Sequence, residues 1–585
     1  MPRRGALFRF ALLPATACAA ALNASLWPQP RAAAFGASST PLDVAAFAFV
    51  LAAAPPPPAN GSEALDILAA AFARYEAVVL GGAGVDARGE LRGTRAGGAG
   101  SAGAASALVS LAVSLGSVDD ALQLGADESY SLSVPAPDAG GAPLNATLSC
   151  ASVWGCLRGL ETFSQLVVVG EGGAQLSVAS TPLLVEDAPR FSHRGVLVDT
   201  SRHFLPAATL RAVLDGMTND KLNVLHWHIS DAQSFPFASL AVPGLVLGAW
   251  SPAATYSIED MRGLVRYAKY RGIRVVPEVD SPAHSESWGV GRPDLILRCG
   301  ANGGYSSLVD PSREETYTAI AALFAELATI FFDEAFHIGV DEVPVDAGSC
   351  YNTSAVNAWM PTVNISAGDY KGVVRYHIDR LQGILASRGK RQSAWQEAAD
   401  HYGLDPTNPT MAPPNLSRDT ALHVWLAPAW EWWNMSFVVE QGFRGVKCDD
   451  WYLSSPGLDV WDAYAADPLT DAVCTYLGEP PVQNCTCTQR PDPSYYGCFN
   501  IQSQTLIDRV IGGEASIWGE QADATNLLQL LWPRVSAVGE RLWSPQFVND
   551  QAAALPRLTD HRCRLVARGV PAAPVQPSFC DGSRR

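Results

Sequence analysis

Two adjacent acidic residues, Asp341 and Glu342, end a short apolar segment that begins at Phe336. Neighbouring side chains of a strand point to opposite faces, but where a strand ends and the chain turns, both can reach one pocket. Two carboxylates that both tend to ionise are costly to bury side by side, which favours a functional pair. A solvated Asp-Glu pair at a strand-to-loop junction is the alternative, since exposed acids are common. The residues around the pair must decide between the two.

The elements that would position this pair alternate regularly from Pro189 onward. Short apolar runs are separated by segments with helical periodicity, such as Leu210, Val213, Leu214 and Met217. The eight runs that predict strands are Gly195–Thr200, Val224–Ile229, Ile273–Asp280, Phe336–Glu342, Ser393–Glu397, Ala421–Leu426, Phe443–Tyr452 and Gly512–Glu520.

Repeated strand–helix units indicate a parallel sheet buried on both faces, and eight of them predict a closed (β/α)8 TIM barrel. The expected fold class is therefore α/β. An open, doubly wound sheet is the alternative, but no Gly-x-Gly-x-x-Gly motif follows an early strand.

The residues before the barrel predict two further segments. Arg3 and Arg4 precede an apolar run that ends in small residues, which is typical of a signal peptide over residues 1–21. Residues 22–188 then mix helix-like and strand-like stretches and predict a small, non-catalytic α+β domain. The catalytic domain is expected over residues 189–585.

In a barrel of this kind, functional side chains collect where the strands end. The chemically useful residues near the predicted strand ends, with Arg194 just before the first strand, are Asp199, His203, His226, His228, Asp231, Glu278, Asp280, His284, Asp341, Glu342, Trp395, Glu397, Trp425, Asp450, Trp451, Tyr452, Trp518 and Glu520. Carboxylates and arginine bind hydroxyl groups, and indole faces stack on the apolar faces of sugar rings. A single tryptophan is more often a core residue, but several at successive strand ends predict a sugar-binding mouth.

Histidine and carboxylate side chains could instead bind a metal. His226 and His228 alternate on one strand, so both imidazoles can face the same side. No further ligand set with metal spacing accompanies them, so buried, hydrogen-bonded histidines are expected, with no metal and no other cofactor.

Composition narrows the classes of partner. The formal net charge of -17 argues against nucleic acid and against anionic membrane surfaces. No later apolar run reaches the roughly 20 residues that a membrane span needs.

Several features predict passage through the secretory pathway. The candidate N-glycosylation sites are Asn23, Asn60, Asn145, Asn352, Asn364, Asn415, Asn434 and Asn484. In an oxidising compartment, Cys299 could pair with Cys350, and Cys563 with Cys580. Removal of Cys18 with the signal would leave eleven of the twelve cysteines, so one is expected to remain unpaired. The pairing among Cys474, Cys485, Cys487 and Cys498 stays open.

With these residues in view, the chain resembles the β-N-acetylhexosaminidases of glycoside hydrolase family 20 from about Leu26 to the C-terminus. The motifs that carry the resemblance are Arg194-Gly-Val-Leu-Val-Asp-Thr-Ser-Arg-His203, Asn223-Val-Leu-His-Trp-His228, Arg271-Gly-Ile-Arg-Val-Val-Pro-Glu-Val-Asp280, His337-Ile-Gly-Val-Asp-Glu-Val343 and Gly512-Gly-Glu-Ala-Ser-Ile-Trp-Gly-Glu520. The N-terminal part and the tail resemble the lysosomal or vacuolar enzymes of animals and plants.

The resemblance implies hydrolysis with retention of configuration, in which the 2-acetamido group of the substrate is the nucleophile. It implies that Glu342 is the general acid and base, that Asp341 orients the acetamide, and that Tyr452 donates to the acetamide oxygen. It further implies that Asp231 and His284 act together on the general acid. The residues that it implies for substrate binding are Arg194, Trp395, Trp425, Trp518 and Glu520.

The chain departs from the family pattern in three places. Val340 stands where the family usually has glycine, which could shift Asp341, although a strand position tolerates valine. The segment from Cys474 to Cys498 is longer and richer in cysteine than usual. No basic residue follows Tyr452, so a neutral substrate is expected rather than a sulfated one.

Three functions of different classes are compatible with these patterns. The first is an exo-acting hydrolase that releases terminal β-linked GlcNAc or GalNAc from glycans or chito-oligosaccharides. The second is a secreted sugar-binding protein that has lost catalysis, and the third is an endo-chitinase, whose Asp-x-x-Asp-x-Asp-x-Glu motif is not found here. A homodimer is expected from similar enzymes, located in a lysosome or vacuole or outside the cell.

Overall fold

In this computed structural model, an N-terminal α+β domain precedes a closed barrel. The residues that the structure describes are 25–57, 61–81, 106–138, 140–169, 175–298, 307–346, 348–399, 416–426, 435–455, 457–471, 473–476, 482–483, 495–496 and 499–580. The predicted signal peptide lies outside them, as do Cys299 and the candidate glycosylation sites Asn23, Asn60, Asn415, Asn434 and Asn484.

The N-terminal domain is built on one mixed sheet. Its strands are β1 (Ala32–Pro41), β2 (Ala48–Ala53), β3 (Leu108–Leu115), β4 (Tyr130–Val134), β5 (Leu144–Cys150), β6 (Val167–Val169) and β7 (Leu176–Asp187). They are ordered β1-β7-β4-β5-β3-β2, and β6 also pairs with β7. Two helices, Ala64–Leu80 and Val153–Leu166, accompany the sheet, so the domain has the α+β character expected from the sequence.

Helix Val153–Leu166 lies between the two domains. Ser152 caps its N-terminus, because the hydroxyl accepts the backbone N–H groups of Trp154 and Gly155. All of its residues are buried, and Arg158 donates to the backbone oxygen of Gly272 in the barrel domain at 2.8 Å. The helix therefore joins the N-terminal sheet to the barrel.

The second domain is a closed barrel of eight strands. They are β8 (His193–Asp199), β9 (Val224–Ser230), β10 (Arg274–Val279), β13 (Ala335–His337), β14 (Arg391–Trp395), β15 (Ala421–Val424), β16 (Arg444–Lys447) and β22 (Val510–Ile517). Neighbours around the barrel are hydrogen-bonded in parallel, and β22 closes it against β8. The (β/α)8 TIM barrel predicted from the sequence is confirmed.

The remaining elements surround the barrel. Its helices are Ala207–Asn219, Ile258–Lys269, Trp288–Gly291, Glu314–Leu327, Ser354–Trp359, Tyr370–Ala386, Met435–Glu440, Val460–Ala465, Gln504–Ile507, Leu527–Leu531, Arg534–Trp543 and Gln551–Ala567. The short strands are β11 (Ile296–Arg298), β12 (Ser307–Val309), β17 (Thr470–Asp471), β18 (Val473–Tyr476), β19 (Val482–Gln483), β20 (Tyr495–Tyr496) and β21 (Phe499–Asn500). None of the helices among the described residues is long and apolar enough to cross a membrane.

The fourth barrel strand is shorter than the sequence predicted. A strand over Phe336–Glu342 is expected, but β13 ends at His337. The backbone then turns through left-handed conformations at Gly339 (φ 70°), Val340 (φ 76°) and Glu342 (φ 52°). These angles are incompatible with a strand, and they are strained for a β-branched residue such as Val340. The expectation that Val340 occupies a tolerant strand position is therefore wrong.

Charged and polar side chains fill part of the barrel interior, where branched aliphatic residues usually dominate. They are His193, His226, His337, His423, Glu278 and Glu514, and all six are buried. His226 lies between the two glutamates, with Nδ1 2.8 Å from Glu514 and Nε2 3.1 Å from Glu278. Burial opposes its protonation, but the charges of both carboxylates raise the pKa of His226 to about 9.

A buried ion pair at the end of the barrel where the strands begin joins the two domains. Arg194, the second residue of β8, donates to Glu128 of the N-terminal domain at 2.6 Å and to the backbone oxygens of Phe191 and Lys221. The same Glu128 oxygen accepts from Arg158 at 2.7 Å. Arg194 is fully buried at the start of its strand. It therefore lies at the end of the barrel remote from the strand C-termini.

Disulfides occur in both domains. Cys563 is bonded to Cys580, as predicted, and Cys150 is bonded to Cys156, a pair that the sequence did not indicate. Cys350 is disulfide-bonded, while Cys448 is a buried free thiol. The prediction that one cysteine remains unpaired is thus met within the described part of the chain. Three predicted glycosylation sites, Asn145, Asn352 and Asn364, are exposed.

The pair formed by Arg194 and Glu128 makes a testable contribution to stability. We expect Arg194→Met to lower the free energy of unfolding by about 3 kcal/mol, because it leaves part of the buried Glu128 charge uncompensated. Urea unfolding of the purified protein measures this change. Arg266→Met is the matched control, since Arg266 also pairs across the domains, with Glu63, but at an exposed site. Equal stability of the two variants would contradict a dominant role for the buried pair.

Candidate active site

The turn after β13 presents Asp341 and Glu342 at the end of the barrel where the strands terminate. The side chain of Glu342 is 61% exposed, whereas that of Asp341 is only 12% exposed. The left-handed backbone of this turn allows two neighbouring side chains to reach the same mouth, as the sequence suggested. One carboxylate is thus open to solvent, and the other forms part of the floor.

His284 lies between these two carboxylates and a third, Asp231. Its Nε2 is 3.7 Å from Asp341 and 3.5 Å from Glu342, while its Nδ1 is 3.3 Å from Asp231. Burial opposes a charge on the imidazole, but the negative charge of Asp341 and the contacts with Asp231 and Glu342 raise its pKa far above the usual value. His284 is therefore an imidazolium that links the members of the cluster.

The charge of His284 reverses one expectation from the sequence. The sequence places another acid, Asp341, next to Glu342, and that neighbour by itself predicts a raised pKa for Glu342. In the structure, the hydrogen bond and the charge of His284 instead lower the pKa of Glu342 from its usual range. For Asp341, burial raises the pKa, and the charges of Glu278 and Glu342 act in the same direction. The raised pKa expected from the sequence is thus wrong for Glu342 in the open site, because His284 outweighs burial and the negative charge of Asp231.

A further buried acid, Asp280, supports the turn from below. Its Oδ1 accepts the backbone N–H of Val340 at 3.1 Å. A side chain on Gly339 would lie 1.6 Å from the same oxygen, so only glycine fits at that position. Burial and the charge of Asp341 raise the pKa of Asp280 well above normal, which favours a neutral carboxyl group. Asp280 therefore anchors the turn without adding charge.

An arginine that the sequence reasoning missed lies at this mouth. The guanidinium of Arg202 is 2.7 Å from Asp231 and 3.2 Å from Asp199, and it lies over the ring of Trp518. Burial opposes its charge, but Asp199, Asp231 and Glu520 together raise its pKa. The exposed Glu520 is thus close enough to act on the same guanidinium.

The structure does not bring Arg194 to the site, so its predicted role in substrate binding is wrong. Both arginines occur in one sequence motif, but Arg194 is the second residue of β8 and Arg202 follows its last residue, Asp199. The rule that functional groups follow the strands was enough to choose Arg202.

Four aromatic residues form one wall of the mouth. Trp395 contacts Trp518 and Trp425, with ring centroids 5.9 and 6.5 Å apart. Tyr452 stacks on Trp425 at 5.8 Å and lies 6.3 Å from Trp518. The structure thus brings together the aromatic residues predicted from four different strands.

Carboxylates behind this wall fix two of the indoles. Trp425 Nε1 donates to Glu397 at 2.9 Å, and Trp395 Nε1 donates to Glu278 at 3.0 Å. An indole whose N–H is bonded in this way has a defined face, as a stacking platform requires.

Three groups of histidine and carboxylate residues are close enough to be considered as metal ligands. They are His226, His423 and Glu514; His226, Glu278 and His337; and Asp231, Asp280 and His284. In the second group, the nitrogen–oxygen contacts of 3.1 and 2.8 Å are hydrogen-bond distances. The geometry therefore fits a network in which the carboxylates accept hydrogen bonds from the imidazole N–H groups.

Comparison with known proteins identifies the family. The model of the glycosyl hydrolase family 20 catalytic domain matches residues 191–546, and a "beta-acetyl hexosaminidase like" model matches residues 26–166. The chain belongs to glycosyl hydrolase family 20. As a family 20 member it is a glycosidase, and specifically a β-N-acetylhexosaminidase.

Individual relatives support this placement. The mouse beta-hexosaminidase subunit beta is 37% identical over 465 residues, which is 78% of this chain and 76% of the relative. Beta-hexosaminidase 1 of Arabidopsis thaliana is 36% identical over 476 residues, covering 80% of this chain and 78% of its own.

Solved structures agree in fold with this family 20 chain. A Flavobacterium johnsoniae chitobiase superposes with a TM-score of 0.71 at 25% identity, over 94% of this chain and 73% of its own. A mutant Streptomyces plicatus beta-hexosaminidase in complex with product GlcNAc has a TM-score of 0.63 at 21% identity, with coverage of 95% and 97%.

Proposed function

We propose that this β-N-acetylhexosaminidase removes terminal, non-reducing β-linked GlcNAc or GalNAc by a substrate-assisted mechanism with retention of configuration. The observation that carries the proposal is the convergence of Asp341, Glu342 and Tyr452 with an aromatic wall at one mouth. No second carboxylate is needed as the enzyme nucleophile, since the acetamide of the substrate supplies it.

In the first step, the acetamide carbonyl oxygen attacks the anomeric carbon while the bond from that carbon to the leaving oxygen breaks. Glu342 gives its proton to the leaving oxygen. Asp341 accepts the acetamide N–H and stabilises the positive charge that develops on the oxazolinium ring, and the hydroxyl of Tyr452 donates to the attacking oxygen. Holding an intramolecular nucleophile in place can lower the activation barrier by roughly 7–11 kcal/mol at best.

In the second step, water attacks the anomeric carbon and the bond to the acetamide oxygen breaks. Glu342, now a carboxylate, takes the proton from the water. Two inversions at one carbon restore the β configuration, and the acetamide is regenerated unchanged.

The rest of the mouth is proposed to bind the terminal sugar. Trp395, Trp425 and Trp518 would enclose the acetamide, and Arg202 with Glu520 would bind outer hydroxyl groups of the ring. Arg202 therefore replaces Arg194 in this role.

The protonation of the open site indicates acidic working conditions. Glu342 must be protonated to act, and its pKa lies below its usual range because His284 is beside it. Substrate binding would remove water from the exposed carboxylate and raise this pKa. A lysosome or vacuole would supply an acidic lumen, and the disulfides fit an oxidising secretory route.

The natural substrate is proposed to be a neutral glycan or chito-oligosaccharide. Leu453 and two serines follow Tyr452, so no basic residue at that point would attract a sulfated sugar. A homodimer is also proposed, because the mouse relative is named as a subunit, and light scattering on the purified chain can measure the mass.

Glu342→Gln tests the role of the acid through the leaving group. We expect turnover of a chitobiose-type substrate to fall by about 1,000-fold or more, because its alkoxide leaving group needs a proton. A dinitrophenyl glycoside leaves without protonation, so its first step should lose much less. Stopped-flow measurement of dinitrophenolate release separates the two.

Asp341→Asn is the matched control for that experiment, because it should slow both substrates alike. Equal losses on both substrates for Glu342→Gln would refute its assignment as the acid. Binding of GlcNAc without turnover by the wild-type protein would favour a sugar-binding protein that has lost catalysis.

His284→Gln tests the electrostatics of the cluster. His284 lowers the pKa of both Glu342 and Asp341, so loss of its charge raises both. Ionised Asp341 sets the acidic limb of the pH profile of kcat/KM, and protonated Glu342 sets the basic limb. Both limbs should therefore move to higher pH. Tyr452→Phe should lower the rate without moving either limb, and an unmoved profile for His284→Gln would contradict the cluster's proposed charge state.

A further inference from the structure

Glu278 is a buried carboxylate of β10 that the mechanism does not use. It is fully inaccessible to solvent, and burial would normally keep such a group neutral. The imidazoles of His337, His228 and His226 surround it and hold its pKa well below normal in spite of burial. Glu278 is thus a fixed negative charge inside the barrel.

The four partners of Glu278 use both of its oxygens. Oε1 is 3.0 Å from Trp395 Nε1 and 2.8 Å from His337 Nδ1. Oε2 is 2.5 Å from His228 Nδ1 and 3.1 Å from His226 Nε2. Two of these partners, Trp395 and His228, lead directly to opposite sides of the active site.

His228 connects Glu278 to the acid. While its Nδ1 bonds Glu278, its Nε2 lies 3.1 Å from Asp231 Oδ2. The other oxygen of Asp231 contacts His284, which in turn contacts Glu342. Carboxylates and imidazoles therefore alternate from the barrel interior to the general acid, and each imidazole nitrogen in this path faces an oxygen.

Trp395 connects Glu278 to the acetamide pocket. The indole is fully buried, and its Nε1 donates to Glu278. This bond fixes the rotation of the ring against Trp518 and Trp425. A shift of Glu278 would thus move both the aromatic wall and the series of contacts that leads through His228, Asp231 and His284 to Glu342.

We propose that Glu278 is a positioning residue. Through hydrogen bonds to Trp395 and His228, it fixes the position of the acetamide pocket relative to the general acid. The inference rests on the proposed function of the mouth and deepens it. The nucleophile and the acid act on opposite sides of one anomeric carbon, so their relative placement controls the rate. A misplacement of about 1 Å can cost 100-fold in such a reaction.

Glu514 provides a matched comparison within the same interior. It is equally buried, and it contacts His226 at 2.8 Å and His193 at 3.2 Å. Three imidazoles surround it, as they surround Glu278, and its pKa is likewise held well below normal despite burial. Among the described residues, the partners of its carboxylate are the interior histidines His193, His226 and His423. Loss of either glutamate should therefore cost similar stability, while only Glu278 should affect catalysis.

The test compares Glu278→Gln with Glu514→Gln on an aryl 2-acetamido-2-deoxy-β-glucoside. We expect kcat of Glu278→Gln to fall by about 100-fold at an unchanged or slightly altered KM, because positioning acts on the transition state. Glu514→Gln should retain the wild-type kcat within about threefold. Equal kinetic losses in the two variants would overturn the proposal in favour of a purely structural role.

The pH dependence of kcat/KM is a second measurement, and a loss of stability alone does not change it. The titratable groups that face Glu278 are His226, His228, His337 and Asp280, and its charge also reaches Asp341 and Cys448. That charge opposes ionisation of Asp341, so its removal should shift the acidic limb of kcat/KM to lower pH. The limb should stay in place in Glu514→Gln.

Two single-arm variants keep the test decisive if Glu278→Gln does not fold. Trp395→Phe removes the indole N–H but keeps a ring, and His228→Asn removes the contact with Asp231. Each should lower kcat, and neither should lower it further when combined with Glu278→Asp, because the pairs act as one unit. Fully additive losses would contradict the proposed coupling. A wild-type protein inactive on the acetamido substrate would instead refute the proposed function itself.

Discussion

The imidazolium of His284 holds together a site that would otherwise repel itself. Three carboxylates, Asp231, Asp341 and Glu342, lie within 3.3 to 3.7 Å of its two nitrogens. Without a cation between them, at least one of the acids would have to take up a proton or turn away. The left-handed turn at Gly339 and Val340 is tolerable for the same reason, because it points two adjacent acids toward one positive charge. The geometry of the turn and the charge of His284 therefore depend on each other.

Buried charges have different roles at the two ends of the barrel. At the strand N-termini, the buried pair of Arg194 and Glu128 fastens the N-terminal domain to the barrel. At the other end, Arg202 pairs with Asp231 and lies over Trp518, with part of its surface open to solvent. Between the two ends, the interior glutamates and histidines form a layer of contacts that fixes the side chains of neighbouring strands relative to one another.

The sequence predicted the barrel and most of the mouth because both follow from periodic patterns. Helix Ala207–Asn219 buries Leu210, Val213, Leu214 and Met217, as their spacing indicated. The aromatic wall followed from tryptophans at successive strand ends. The disulfide between Cys150 and Cys156 was missed, because nothing in the spacing marked that pair.

The errors arose where three-dimensional neighbours override local pattern. Arg194 and Arg202 share one motif, and only their positions relative to the strand separate a structural arginine from one at the mouth. The end of β13 depends on backbone angles that valine rarely adopts, so the sequence favoured a longer strand. The pKa of Glu342 is controlled by His284, which is distant in sequence and close in space. In each case the deciding contact comes from another strand.

The most direct test of substrate assistance is the rate on two aryl β-glycosides that differ only at carbon 2. One carries the acetamido group and the other a hydroxyl group, with the same leaving group and the same pH. The proposed mechanism predicts strong hydrolysis of the acetamido sugar and a rate lower by several orders of magnitude for the hydroxyl sugar, because only the first contains the nucleophile. Comparable rates on both would mean that the protein supplies its own nucleophile, and would contradict the roles proposed for Asp341 and Tyr452.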